Sequence, residues 1–455
     1  MLCVDLPDTV RDALLAPLVD HHCHGVHRDD LGRARFELLI SEGGAPAPPG
    51  TTHFDTPYGM AVRRWCAPVL DLEPHAPPAV YLSRRADLGA VEVNRRLLAA
   101  AGVVAFLVDT GTQDLGLLSA AEMGRHGGAA ADELVRVEQI EQDVAESAAL
   151  AVDYLDTLGE ELSARAARAV GLKTVVATRC GLDFDPARPS RGSVIAAANR
   201  RLAAPREPLT DPVLLRHLLW SAVDVARERG LPLQLHTGFP TSTAPVPPHP
   251  DPTRFHGALG HPDAARLNGG GAGHTDSGRS SGGGDGYADP ARPSGGGGRA
   301  LSASELLLGG LVTPPEPPGP HRTDPARLSA FIAALQPLSV PVILLGCYPF
   351  HRQAAYLAGL HPHVYVDVGL ALPHSAAAAA RVMEDLLELA PFHKLLFSSG
   401  SRGLAESCLL GALYYRRALG AALAARVREG EWSAADAARV AHMIGSGNAR
   451  RVYRL

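Results

Sequence analysis

Eight short apolar runs, separated by stretches of helical character, organise this sequence. They fall at 16–19, 103–109, 134–138, 170–177, 232–238, 340–347, 364–369 and 394–400, the first leading directly into histidines 21, 22 and 24. Each run is short and bounded by turn or polar residues, which predicts a buried strand rather than a helix. Strands that alternate with helices pair in parallel, and eight of them close into a (β/α)8, TIM-like barrel. The expectation is therefore an α/β chain with one such barrel as a single domain over 1–455. It has a leading helix before residue 16 and further helices at the C-terminal end.

The helical stretches are predicted at 142–168, 211–229, 324–336, 403–428, 433–444 and 448–455, with 26–101 mostly helical between Pro-rich breaks near 45–50 and 74–78. Asp211 and Pro212 supply an N-cap and a first-turn proline, and Ser433 supplies a second cap. One segment departs from the pattern. Residues 239–322 are dominated by Gly, Pro, Ser and His, a composition that buries too little side chain to offset ordering entropy. We read them as a mostly disordered insertion with one short helix at 302–308. Their histidines (His256, His261, His274) raise the idea of a metal-buffering or partner-binding segment, and a solvated linker is the simpler account.

A net charge of -5 and a pI near 6.5 give no electrostatic case for binding nucleic acid or an anionic membrane. No apolar run is long enough to span a bilayer, and the N-terminus lacks a basic region followed by an apolar stretch, so the expected location is cytoplasmic. The 6 cysteines are scattered without a CxxC pair, which argues against a disulfide framework and against a cysteine zinc knuckle. Cys23 and Cys347 lie beside candidate site positions.

Barrels of this kind place their chemistry at the C-terminal ends of the strands. His22, His24, Lys173, His236 and Cys347 all fall at such ends. His22 and His24 are two apart, so on a strand their imidazoles share a side and can reach one metal ion. With His236 they form a three-histidine set that leaves a position open. The alternative is a cluster of histidines held by structural hydrogen bonds. Lys173 is open to three readings: an ion pair, a contact to a substrate carboxylate, or a carbamate that ligates metal. Arg179 can fork onto a carboxylate or form a surface ion pair. Asp367 reads as structural.

The ordered set Asp20-x-His22-x-His24, Gly171-Leu172-Lys173, Leu235-His236-Thr237-Gly238, Tyr348-Pro349 with a helix at Tyr356-Leu357-Ala358, Tyr365-Val366-Asp367-Val368 and Phe397-Ser398-Ser399 resembles the amidohydrolase superfamily. It is most similar to the amidohydrolase-related (amidohydrolase-2) branch, which includes the amidohydrolase-like domain sometimes fused to glutamine synthetase. The resemblance covers nearly the whole chain outside 239–322. It implies a TIM-like barrel and a mono- or binuclear divalent metal site, with zinc expected first and manganese or iron as alternatives. It also implies hydrolysis of a C–N, amide-type bond of a small molecule through metal-bound hydroxide. Lys173 and Arg179 then suggest a carboxylate-bearing substrate. Assembly into a homo-oligomer is left open.

Two positions depart from the family. Where strand six usually ends in a ligand histidine stands Gly346, and where strand eight usually ends in a metal-binding, proton-accepting aspartate stands Gly400. General-base catalysis is worth about 10²–10⁴-fold, so their loss would impair activity unless Asp367, His374 or Glu406 substitutes. The alternative function is a catalytically degenerate barrel that binds a ligand or a protein.

Overall fold

Strands β1 (Leu18–His24), β2 (Val103–Asp109), β3 (Ala130–Arg136), β4 (Gly171–Thr174), β5 (Leu233–His236), β6 (Val342–Leu345) and β7 (Val364–Val366) pair in parallel and in chain order in a computed structural model of the protein. The structure describes residues 5–41, 43–111, 116–238 and 320–455. Apart from residues 320–322, the expected insertion, with its helix at 302–308 and its three histidines, lies outside the described residues. Its two flanks meet: Gly238 N–H donates to the Thr323 carbonyl at 3.0 Å.

The expected eighth strand at 394–400 begins on the last residue of a 3-10 turn, ends on a left-handed glycine and forms no regular ladder, joining the sheet through a single bridge, Leu395 to Val366. It still fills the gap between β7 and β1. Leu396 N–H donates to Val366 (3.1 Å), His21 N–H to Phe397 (3.3 Å), Gly400 N–H to His22 (3.1 Å) and His24 N–H to Ser401 (2.8 Å). The ladder is interrupted because buried Asp20 takes the Ser399 N–H (2.9 Å) and the Ser399 hydroxyl (2.5 Å) onto its own side chain. The TIM-like architecture stands, with its last strand replaced by a side-chain-bonded segment.

Other elements shift for local reasons. The third strand ends two residues before the predicted 138 and starts at Ala130, because its first half (Ala130–Glu133) is small or polar and faces outward. The single helix expected over 142–168 is two, Val137–Ser147 and Ala151–Ala166. Ala148 and Leu150 take extended backbone between them, so that the second helix packs back on the first. Asp211 caps Pro212–Arg229 by accepting from Val213 and Leu214, and Ser433 caps Ala434–His442, both as predicted. No helix among the described residues is long and apolar enough to cross a membrane.

The barrel interior follows the period-two rule of strands. Val19, Ala105, Leu107, Leu134, Ile343, Leu345 and Leu396 face one another there, and Ala449, Val452 and Tyr453 of the terminal helix Asn448–Tyr453 pack among them as a plug. Tyr453 closes this apolar layer on a polar one. Its hydroxyl accepts from Gln234 Nε2 at 2.7 Å and meets His21 Nδ1 at 3.1 Å.

Candidate metal centre

The histidine-rich strand is bulged, and the bulge decides which histidine does what. Asp20 pairs with Phe106 and Cys23 with Val108, so three steps on β1 match two on β2. The extra residue resets the alternation. His21 and His22, adjacent in sequence, both turn toward the interior. His21 closes the apolar layer, with Nε2 3.0 Å from Asp367 Oδ2. His22 and His24 rise together toward the mouth, their rings edge to face with centroids 5.2 Å apart. The shared side read from their spacing is what the structure shows.

The next strand supplies the residue that the sequence reading passed over. Asp109 ends β2 in register with His24. His22, His24 and Asp109 each present a ligand atom within 4.8 Å of the others, and all three are buried. Among the described residues this is the group of metal-ligating side chains that converges. The signal was available: the apolar run 103–109 closes on an aspartate at a C-terminal strand end. Arg136, at the end of β3, was also missed, and it donates to Asp109 Oδ2 at 2.6 Å. The other Asp109 oxygen accepts Gly111 N–H at 2.9 Å.

Lys173 lies at the centre of the group. Its Nζ is 2.5 Å from Asp109 Oδ2 and 2.6 Å from His22 Nε2, and its side chain is 2% exposed. An ammonium only donates, so His22 Nε2 is the acceptor and Nδ1 carries the ring proton. Burial, then Lys173, holds both His22 and His24 well below the usual histidine range, which keeps the imidazoles neutral. Burial alone would raise Asp109, but Arg136 and Lys173 outweigh it and hold the carboxyl well below its usual range. Burial lowers Lys173 to about 8, against the pull of Asp109. Two neutral imidazoles and an ionised carboxylate are a donor set that suits zinc and also admits manganese or iron.

The remaining predicted positions spread around the same rim. His236 ends β5, is buried, and stands outside the 4.8 Å group. It faces the Gly346 position on the next strand, where an added Cβ would lie 3.6 Å from His236 Cε1. Arg179 lies on the short helix Val176–Cys180 after β4, is half-buried, and forms no ion pair among the described residues. Asp367 is fully engaged: it accepts from Gly346 N–H (2.8 Å) and from the Ser398 hydroxyl, besides its His21 contact. Glu406 is held by Arg85 and Tyr81, each at 2.7 Å, and the His374 ring lies 4.5 Å from that of Tyr58. Cys23 and Cys347 are buried, and Cys347 donates to the Leu344 carbonyl at 3.2 Å.

Gly346 and Gly400 both adopt left-handed backbone, with φ of +61° and +58°. They differ in room. A Cβ at 346 meets only ordinary contacts, whereas one at 400 would lie 2.9 Å from the Leu370 backbone nitrogen.

Comparison with known proteins gives a family match over part of the chain and a shared fold. Residues 346–455 match the family described as Amidohydrolase. Over 135 residues the chain is 31% identical to protein fluG of Emericella nidulans, a match that takes in 30% of this chain and 16% of that protein's length. A crystal structure from Lactobacillus casei described as a metal-dependent hydrolase superposes with a TM-score of 0.72 at 17% identity, covering 99% of this chain and 98% of its own. Uronate isomerase from Thermotoga maritima (TM-score 0.57, 11% identity, 100% of both chains) and glucuronate isomerase from Caulobacter crescentus (0.56, 13%, 98% and 94%) share the fold. The resemblance to the amidohydrolases read from the sequence is thus borne out by the family match over 346–455, and the similar structures share the fold.

Proposed function

We propose that this chain is a metal-dependent, amidohydrolase-type hydrolase. Its divalent ion is held at the barrel mouth by His22, His24 and Asp109, with His236 on the opposite rim as a further donor. The observation that carries this is the convergence of two neutral imidazoles and an ionised carboxylate within 4.8 Å at adjacent strand ends. A bound divalent ion supplies Lewis acidity and an activated water, which is what cleavage of a C–N, amide-type bond requires.

The chain's own groups prepare the site for such a substrate. Arg136 anchors Asp109, fixing the carboxylate on the β2 side. His24 Nδ1 faces the Asp109 carbonyl at 3.3 Å, which leaves Nε2 for the ion. Among the described residues the Arg179 guanidinium at the mouth has no ionic partner, and its natural complement is a substrate carboxylate, in the bidentate manner arginine favours. The proposed substrate is therefore a small molecule that carries both an amide-type bond and a carboxylate. The intended setting is the cytoplasm.

One observation favours a second reading. Gly400 has neither a side chain nor room for one, so the family's proton acceptor is missing from the strand-eight position. A barrel that binds a small ligand or a protein without turning it over is consistent with that. Metal analysis by mass spectrometry of protein purified without chelator tests the site. About one equivalent of zinc, manganese or iron, lost in His22→Ala/His24→Ala, supports the metal centre. No metal after incubation with excess divalent ions refutes it. A screen of carboxylate-bearing amides on the loaded protein then separates hydrolase from binding module.

A further inference from the structure

We propose that Lys173 is a built-in competitor for the metal position: its ammonium holds the donor pair His22 and Asp109 together, and a divalent ion binds only by displacing it. The inference rests on the metal centre proposed above and states what governs its affinity.

The geometry is explicit. Nζ bonds His22 Nε2 at 2.6 Å and Asp109 Oδ2 at 2.5 Å, the same two groups a metal would use. An imidazole nitrogen has one lone pair, so His22 Nε2 serves either an N–H or an ion. Zinc bonds such donors at about 2.0–2.2 Å, which puts the ion and the ammonium in overlapping space. Both are cations in a buried site, so they repel rather than share it.

The rest of the rim tilts the balance toward the lysine. Gly346 and Gly400 contribute no side-chain donor, so an incoming ion gains fewer bonds than the family's full ligand set would give. Asp109, by contrast, stays neutralised by Arg136 whether or not Lys173 remains. Removing the lysine therefore leaves the carboxylate paired while freeing the Nε2 lone pair. The site would thus be selective for high metal activity: lysine-closed when divalent ions are scarce, metal-loaded when they are plentiful.

The test is a zinc and a manganese titration by calorimetry on the full chain, stripped of metal, for the parent, Lys173→Met and Lys173→Arg, with circular dichroism to confirm folding. We expect Lys173→Met to bind one equivalent at least tenfold more tightly than the parent, and Lys173→Arg, which keeps the charge, to stay within about threefold of it. Should Lys173→Met fold poorly, Lys173→Gln tests the same point with a neutral, polar side chain. Parent binding of one equivalent that is unchanged or weakened in the neutral variants overturns the competition while leaving the metal centre standing. A complete loss of metal in those variants would place Lys173 inside the ligand set. Failure of the parent and every variant to bind either ion overturns the metal centre itself.

Discussion

Asp109 is the most consequential single position that the structure exposes. Its side chain is fully buried between Arg136 at 2.6 Å and Lys173 at 2.5 Å, whose own side chains are 16% and 2% exposed. Asp109→Asn keeps the shape and removes the charge, so the cluster goes from net +1 to net +2 with two cations facing an uncharged amide. Breaking a buried ion pair by removing one partner costs about 3–5 kcal/mol, and we expect a loss in that range here. Lys173→Met alone removes one of the two cations on Asp109 and the His22 hydrogen bond, at about 1–3 kcal/mol. The double variant Asp109→Asn/Lys173→Met returns the cluster to net +1. It should therefore be more stable than the sum of the single losses by about 1–3 kcal/mol, the coupling expected of groups in direct contact. The assay is urea unfolding in chelator, followed by far-UV circular dichroism, which keeps metal out of the comparison. A loss below about 1 kcal/mol for Asp109→Asn, or strict additivity in the double variant, would refute the account that charge pairing holds this cluster.

Three further outcomes follow from the same structure. Tyr453→Phe strips the acceptor from Gln234 Nε2 in the buried plug, and Gln234 Oε1 already lacks a partner, so unfolding measurements should show a loss of about 1–3 kcal/mol. Burial raises the Glu138 carboxyl above its ordinary 4.5 in the folded chain, so the folded chain holds that proton more tightly than the unfolded one. Its contribution to stability is complete below 4.5 and lost as pH rises through the folded value. The stability of the parent relative to Glu138→Gln should fall as pH rises from 4.5, and a flat or rising difference in a urea series would refute this. Histidine tolerates left-handed backbone better than most residues, and the 346 position has room, so Gly346→His should fold at a cost of about 1–2 kcal/mol. Gly400→Asp meets the Leu370 backbone and should cost at least about 1 kcal/mol more. Equal melting temperatures would contradict the difference in space.

The parts of this fold legible in the sequence are those set by local pattern. Val103–Asp109 reads as a strand because six apolar residues in a row lead to its closing aspartate, and Asp211 and Ser433 announce their helices through capping chemistry. What local pattern could not show is where side chains replace backbone pairing. The run at 394–400 has strand composition, yet Asp20, distant in sequence, draws the Ser399 amide and hydroxyl onto a carboxylate and breaks the ladder. The break between Val137–Ser147 and Ala151–Ala166 is likewise tertiary, since nothing at 148–150 is a strong helix breaker. In the site, the His22 and His24 pairing was legible from spacing alone. Asp109 was not singled out because an aspartate ending an apolar run also reads as a simple strand terminus.

The bulge in β1 shows why the same residue type can serve two purposes one position apart. Without the extra residue, strict alternation would send His22 outward whenever His21 faces in, and the barrel could have the plug contact or the metal ligand but not both. With it, His21 is committed to Tyr453 and Asp367, a network that ties β1 to β7 and, through Gly346 N–H, to β6. That network occupies both carboxylate oxygens of Asp367, through His21, Gly346 N–H and Ser398. Securing the apolar layer thus leaves a mouth with fewer reactive carboxylates: among the described residues Asp109 is the carboxylate grouped with the two imidazoles, and Lys173 bonds both it and His22. It follows that any gain of activity by engineering should come from new groups placed on the rim beside His236, where Gly346 leaves space, and not from freeing Asp367, whose release would unlock three strands at once.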